Sequence, residues 1–137
     1  MTEIAVVLEQ VGCPCGDAGI MGPPPTIEGS NSTFYASGAE ARLFARLVDH
    51  GLDVRVLARP IGAASALKMS CSGIAKGLVA LGSAMFLTAD RSGLSEALRL
   101  EMAETHPDLL SWLKRNTEKM PRNAYRCGAA VAVINSD

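Results

Sequence analysis

Residues 61–90, I-G-A-A-S-A-L-K-M-S-C-S-G-I-A-K-G-L-V-A-L-G-S-A-M-F-L-T-A-D, decide the fold. Nothing in them breaks a helix except scattered glycines, which cost stability but are tolerated in a packed interior. The run predicts one helix from about Gly62 to Asp90, roughly 42 Å long at about 1.5 Å per residue. Only Lys68 and Lys76 interrupt its apolar and small surface, so neighbouring helices are expected to cover it almost completely. Gly73 and Gly77, four apart, would let another helix come close. Its most apolar part, Met69 to Ala89, is about as long as a bilayer demands. With Lys76 inside it, Lys68 beside it and six Gly or Ser residues (Ser70, Ser72, Gly73, Gly77, Gly82 and Ser83), it fits the centre of a helical bundle better, and no membrane is expected.

Upstream, Ile4, Val7, Leu8 and Val11 stand at helical spacing and Gly12 follows as a stop, so a short helix is expected over Glu3 to Val11. The Gly- and Pro-rich stretch C-P-C-G-D-A-G-I-M-G-P-P-P leaves room for a brief strand around Ala18 to Met21 and then a loop to about Ser32. Thr33 to Ala36 is β-branched and aromatic, a second strand closed by Ser37-Gly38. A helix is predicted from Ala39 to His50, capped by Gly51, and Leu52, Val54 and Val56 alternate with Asp53 and Arg55 as a third strand. Downstream come two helices, about Ser95 to Glu104 and Pro107 to Lys119, the second burying Leu109, Leu110 and Leu113. The tail Arg122 to Asp137 is ambiguous between strand and helix. The fold class is therefore mainly α with a small α/β N-terminal part: residues 1–59 form the α/β segment and residues 60–137 the helical one.

Thirteen Lys and Arg against 14 Asp and Glu give a net charge of −1, which excludes a broad basic footprint for nucleic acid. The N-terminus has Glu3 and no basic region, so no signal peptide is expected and a cytoplasmic location is the default. Cys13, Cys15, Cys71 and Cys127 are too few for a disulfide framework and read as small buried hydrophobes. No second Cys or His pair complements Cys13-Pro14-Cys15, and His50 and His106 are isolated, so no metal site is expected.

Chemistry concentrates at the start of the long helix. Burying an ammonium without a partner is expensive, so Lys68 on an apolar helix is either a snorkelling surface residue or a functional amine. Ser65, three residues before it, and Ser72, four after it, share its face. Gly62, Ala63 and Ala64 open the helix with free N–H groups and a positive dipole end, suited to a carboxylate or phosphate. The loop D-A-G-I-M-G-P-P-P could bring a ligand there, since its glycines allow close backbone approach, or it could be a rigid turn. Neither part holds a G-x-G-x-x-G after a strand, so the dinucleotide fingerprint is lacking.

D-A-G-I-M-G-P-P-P and F-Y-A-S-G, then H-G-L-D-V-R-V-L, I-G-A-A-S-A-L-K-M and G-I-A-K-G-L, together resemble the C-terminal domain of phosphogluconate-dehydrogenase-like NAD-binding proteins. That family is a branch of the β-hydroxyacid dehydrogenases. The resemblance spans about Ile4 to Arg126 and is most specific from Gly51 to Gly77. It implies a 6-phosphogluconate dehydrogenase C-terminal-like helical domain, with residues 1–59 a remnant of the end of a Rossmann domain whose greater part lies upstream, and a C-terminus that is shortened. Gly62, Ala64 and Lys68 match the opening of the family's long helix, which makes Lys68 the catalytic residue by analogy, holding the substrate hydroxyl and passing a proton. The family's substrate loop falls on Asp17 to Pro23, so Asp17, Met21, Gly22, Pro23, Ser65 and Ser72 are the implied substrate-binding residues. Two departures alter that pocket: Ser72 stands where many relatives carry asparagine, and Met21 where they carry the loop serine. The implied cofactor of an intact enzyme is NAD or NADP, the substrate a small hydroxy acid or related alcohol, and the partner a second copy of the chain. This reading makes the chain the substrate-binding and dimerisation half of an oxidoreductase, inactive alone; the alternative is a non-catalytic helical interaction module.

Overall fold

The computed structural model describes residues 2–23 and 32–117. The elements run α1 (Thr2–Gln10), β1 (Asp17–Met21), β2 (Thr33–Ser37), α2 (Ala41–Ala45), a 3₁₀ turn (Arg46–His50), β3 (Asp53–Val56), α3 (Ala63–Arg91), α4 (Ser95–Thr105) and α5 (Pro107–Thr117). The chain is thus mainly helical, with a small three-stranded sheet and one long helix. The tail expected from Arg122 onward, Cys127 included, lies outside the described residues, as does most of the loop after Pro23.

The sheet order is β1-β2-β3. β1 runs antiparallel to β2, with Asp17 opposite Ser37 and Gly19 opposite Tyr35, while β2 and β3 are parallel. Parallel neighbours need a crossover, and the segment Ala41–His50 supplies it. Expected as one helix, it tightens to 3₁₀ geometry from Arg46. Val48, Asp49 and His50 are weak helix formers, and a tightened last turn is a common way to end. Gly51 then closes it at φ 84°, a left-handed conformation that glycine takes without the Cβ penalty.

Two compact units are formed, Met1–Gly73 and Ile74–Asp137, so the first turns of α3 group with the sheet. In the first unit Ala5, Ala36, Ala41 and Ala64 are buried, a core of small side chains that lets backbone segments approach closely. In the second, Leu110 and Leu113 of α5 and Val79 of α3 are buried, whereas Leu109, expected inside, is exposed. The close approach on α3 occurs at Gly82, where an added Cβ would lie 2.7 Å from Leu113 Cδ2, and not at Gly73 or Gly77, around which space is open.

The expectation of an almost fully covered long helix is corrected. Of α3 only Ala64 and Val79 are buried; Ile74 is 66% exposed and Leu81 60%, and Met69, Leu78, Met85 and Leu87 are exposed as well. By length and composition alone α3 could cross a membrane, with a mean hydropathy of 1.4 over its most apolar stretch. The apolar stripe of α1 is similarly open, with Ile4, Val7 and Val11 exposed. Cys13 and Cys71, read as buried, are exposed free thiols, and Cys15 is half-buried.

Candidate functional site

Strand geometry places alternate residues on one face. In β1 the buried positions are Asp17 and Gly19, with Ala18 and Ile20 outward. Asp17 is a carboxylate only 2% exposed, and Ser37, its partner across the β1-β2 ladder, is fully buried. A buried carboxylate demands hydrogen bonds, and it finds them at the first turn of α3.

Ser65 donates twice to Asp17, from its backbone N–H to Oδ2 at 2.9 Å and from its hydroxyl to Oδ1 at 2.6 Å. Ser37 Oγ donates to Asp17 Oδ2 at 3.3 Å and accepts the N–H of Ala64 at 3.0 Å. The Gly62 N–H also turns toward the carboxylate. Burial alone pushes the Asp17 carboxyl up, but donation from the Ser65 hydroxyl and N–H, from Ser37 and from Gly62 together outweighs it and holds the group below the ordinary aspartate value. Asp17 is therefore an ionised carboxylate at the positive end of α3.

The helix start expected to receive a ligand anion has several of its donors engaged within the chain: the N–H of Ala64 bonds Ser37, that of Ser65 bonds Asp17, and that of Ala63 bonds Pro60 O at 3.3 Å. The anion that fits the helix start is already in the chain. The same bonds engage both Asp17 carboxylate oxygens and the Ser65 hydroxyl with each other. Ser37, overlooked as a site residue, is the link between them; the visible signal was a serine closing a strand just before Gly38.

Lys68 follows one turn after Ala64. An added Cβ at Gly19 would come within 2.9 Å of Ala64 O and 3.4 Å of Lys68 Cβ, so the base of the Lys68 side chain lies close to the bare backbone of β1. The side chain is nonetheless exposed, as the snorkelling alternative for this lysine has it. Met21 is half-buried at the end of β1, Gly22 and Pro23 are exposed, and Ser72 is half-buried one turn beyond Lys68. The Pro23 carbonyl accepts a hydrogen bond from Ser32 Oγ, which closes the base of the loop. The structure thus joins Asp17, Ser37, Ala64 and Ser65 in one cluster and sets Lys68 against Gly19; among the described residues no side-chain hydrogen bond links Met21, Gly22, Pro23 or Ser72 to that cluster.

Among the described residues no group of three or more His, Cys, Asp or Glu could hold a metal ion. The second unit carries an open groove of about 520 Å³ lined by Leu78, Leu81, Met85, Phe86, Leu98 and Leu113 among others. Its wall is nearly all apolar, so it offers surface for packing but no group for acid-base work.

No protein-family model matches the sequence, and no curated protein matches it. Solved structures do. One is the conserved protein MTH1747 of unknown function, described as structurally similar to 3-hydroxyacid dehydrogenases; it is 31% identical over 81% of this chain, with a TM-score of 0.70. The resemblance holds at the level of the fold. This chain is similar to a protein that is itself similar to 3-hydroxyacid dehydrogenases, as a C-terminal domain of that superfamily would be. A conserved hypothetical protein from Sinorhizobium meliloti 1021 is 26% identical over 87% of the chain, with a TM-score of 0.65. The chain spans only 43% and 42% of the length of these two proteins.

Proposed function

We propose that this chain is the substrate-binding and dimerisation part of an NAD(P)-dependent oxidoreductase that acts on a hydroxy acid or related alcohol, with Lys68 as its catalytic amine. The observation that carries the reading is the seating of Lys68 against Gly19, two residues before the Met21–Pro23 bend, in a fold shared with a 3-hydroxyacid dehydrogenase-like protein. In its neutral form an amine there can accept the substrate hydroxyl's proton as that oxygen becomes a carbonyl, and as an ammonium it can return the proton in the reverse direction. Lysine chemistry of this kind gains from desolvation. Lys68 is exposed here, so its cover would come from another part of the protein or a second copy.

The described residues do not fit a dinucleotide. They hold no G-x-G-x-x-G, and the N–H groups at the start of α3 are occupied by Asp17 and Ser37. Hydride chemistry would belong to NAD or NADP bound elsewhere in an intact enzyme, and no step of it is assigned to this chain. The exposed apolar residues of α3, Ile74, Leu78, Leu81 and Met85, support a second copy as the partner. They favour packing over a membrane span because Lys76, inside the apolar run, would cost up to about 3 kcal/mol if held near a bilayer centre. A cytoplasmic location accords with this.

The test is Lys68→Ala in an intact form, the chain joined to or complemented by a nucleotide-binding part, assayed with a panel of hydroxy acids. Turnover is expected to disappear. Unchanged kcat would instead favour a non-catalytic interaction module, the reading that the exposed Lys68 and open α3 surface also allow.

A further inference from the structure

We propose that Asp17 is the positioning residue of this site, acting through Ser65 and Ser37 to fix the first turn of α3 against β1 and so to set where Lys68 stands. The inference rests on reading Lys68 as the functional amine. It starts from an asymmetry in the first unit. β1 and α3 meet where neither presents a large side chain: Gly19 on the strand, and Ala64, fully buried, on the helix. A contact of backbone on backbone has no interlocking side chains to define its register, so something else must. The Asp17 carboxylate does so with two oxygens: Oδ1 takes the Ser65 hydroxyl, Oδ2 takes the Ser65 N–H, and Ser37 ties the same Oδ2 to the N–H of Ala64. Three of these four bonds end on the consecutive residues Ala64 and Ser65, the fourth links their acceptors, and together they fix both the height of the turn along β1 and its rotation about the helix axis. Lys68 is three residues beyond Ser65 on the same face, so its stem inherits that position.

A residue that merely stabilises would leave this register unchanged below the melting temperature, and the two roles therefore separate. In the 137-residue chain, Asp17→Asn keeps the size of the side chain but loses its charge and turns an amide toward one of the donors. Proton cross-relaxation between Gly19 Hα and Lys68 Hβ is expected to be lost in this variant well below its melting point, with helical circular dichroism retained. Should Asp17→Asn fail to fold, the pair Ser65→Ala and Ser65→Thr decides: the first weakens the contact and the second, which keeps the hydroxyl, restores it. An intact Gly19–Lys68 contact in folded Asp17→Asn, or an equal contact in the two Ser65 variants, overturns the proposal. In an intact enzyme the same displacement lowers kcat about 100-fold with little change in KM. Turnover that survives Lys68→Ala removes the catalytic reading but leaves the contact measurement standing, so the two failures are told apart.

Discussion

A carboxylate 2% exposed, with donors on both oxygens, contributes to stability in a way that depends on pH. Its folded pKa lies below its unfolded value, so the folded state binds its proton less readily than the unfolded one. The stabilisation is then full above the unfolded value of about 3.9 and is lost as pH falls through the lower folded value. Asp17→Asn is expected to cost about 2–3 kcal/mol at neutral pH, and the gap between variant and wild type should narrow progressively as pH falls below about 3.9, as urea unfolding over a falling pH series would show. Gly19→Ala is expected to cost about 1–3 kcal/mol, because the new methyl meets the Ala64 carbonyl oxygen at 2.9 Å and a backbone atom has little room to yield; thermal unfolding measures it. Asp17 and Ser65 were legible as special residues, since an acid in a Gly-Pro loop and a serine at a helix start both stand out. Their bond was not, because nothing in a one-dimensional pattern couples positions 48 residues apart. The helix dipole correctly called for an anion; which anion was a question only the antiparallel β1-β2 ladder could answer. Ser37 went unnoticed for the same reason, being significant only as Asp17's neighbour across that ladder.

Elements were read well wherever period and punctuation agreed. The strand β1 and the long helix α3 fall within a residue or so of the spans expected from their patterns. What period cannot supply is the identity of the neighbour. An apolar run says that burial is needed, not that this chain provides it, and α3 shows the difference: Ile74, Leu81 and Met85 are open while Gly82 is closed by Leu113. So much exposed apolar surface on one element is unusual for a lone soluble monomer. If a second copy covers it, Leu81→Lys places a charge in the contact, and self-association measured by sedimentation should weaken by at least about tenfold, the equivalent of about 1.4 kcal/mol. Far-UV circular dichroism should stay unchanged, because Leu81 is 60% exposed and contributes little to the fold of the single chain. A sedimentation profile indifferent to that charge would remove the second copy as the cover of α3.

On the scale of the molecule, the proposed activity depends on bringing three things together: a substrate, an amine and a cofactor. The chain supplies a candidate for the second and a bend beside it for the first. For the third, a pyrophosphate asks for unpaired backbone N–H groups at a helix start, with glycines that let it approach. The start of α3, which abuts β1, has donors filled by Asp17 and Ser37, and an incoming phosphate would have to displace an ionised carboxylate from a buried network. The exposed start of α4 has no buried wall, with Leu94 exposed before it, and α5 opens on Pro107, which has no N–H to give. The chain alone is therefore expected to bind NAD(H) and NADP(H) with a dissociation constant weaker than about 1 mM, as titration calorimetry or nicotinamide fluorescence would report. A sub-millimolar constant for either nucleotide would mean that a site exists which this network does not block. Binding that tightens only when a nucleotide-binding part is added in trans would show that position, and not chemistry, is what the single chain lacks.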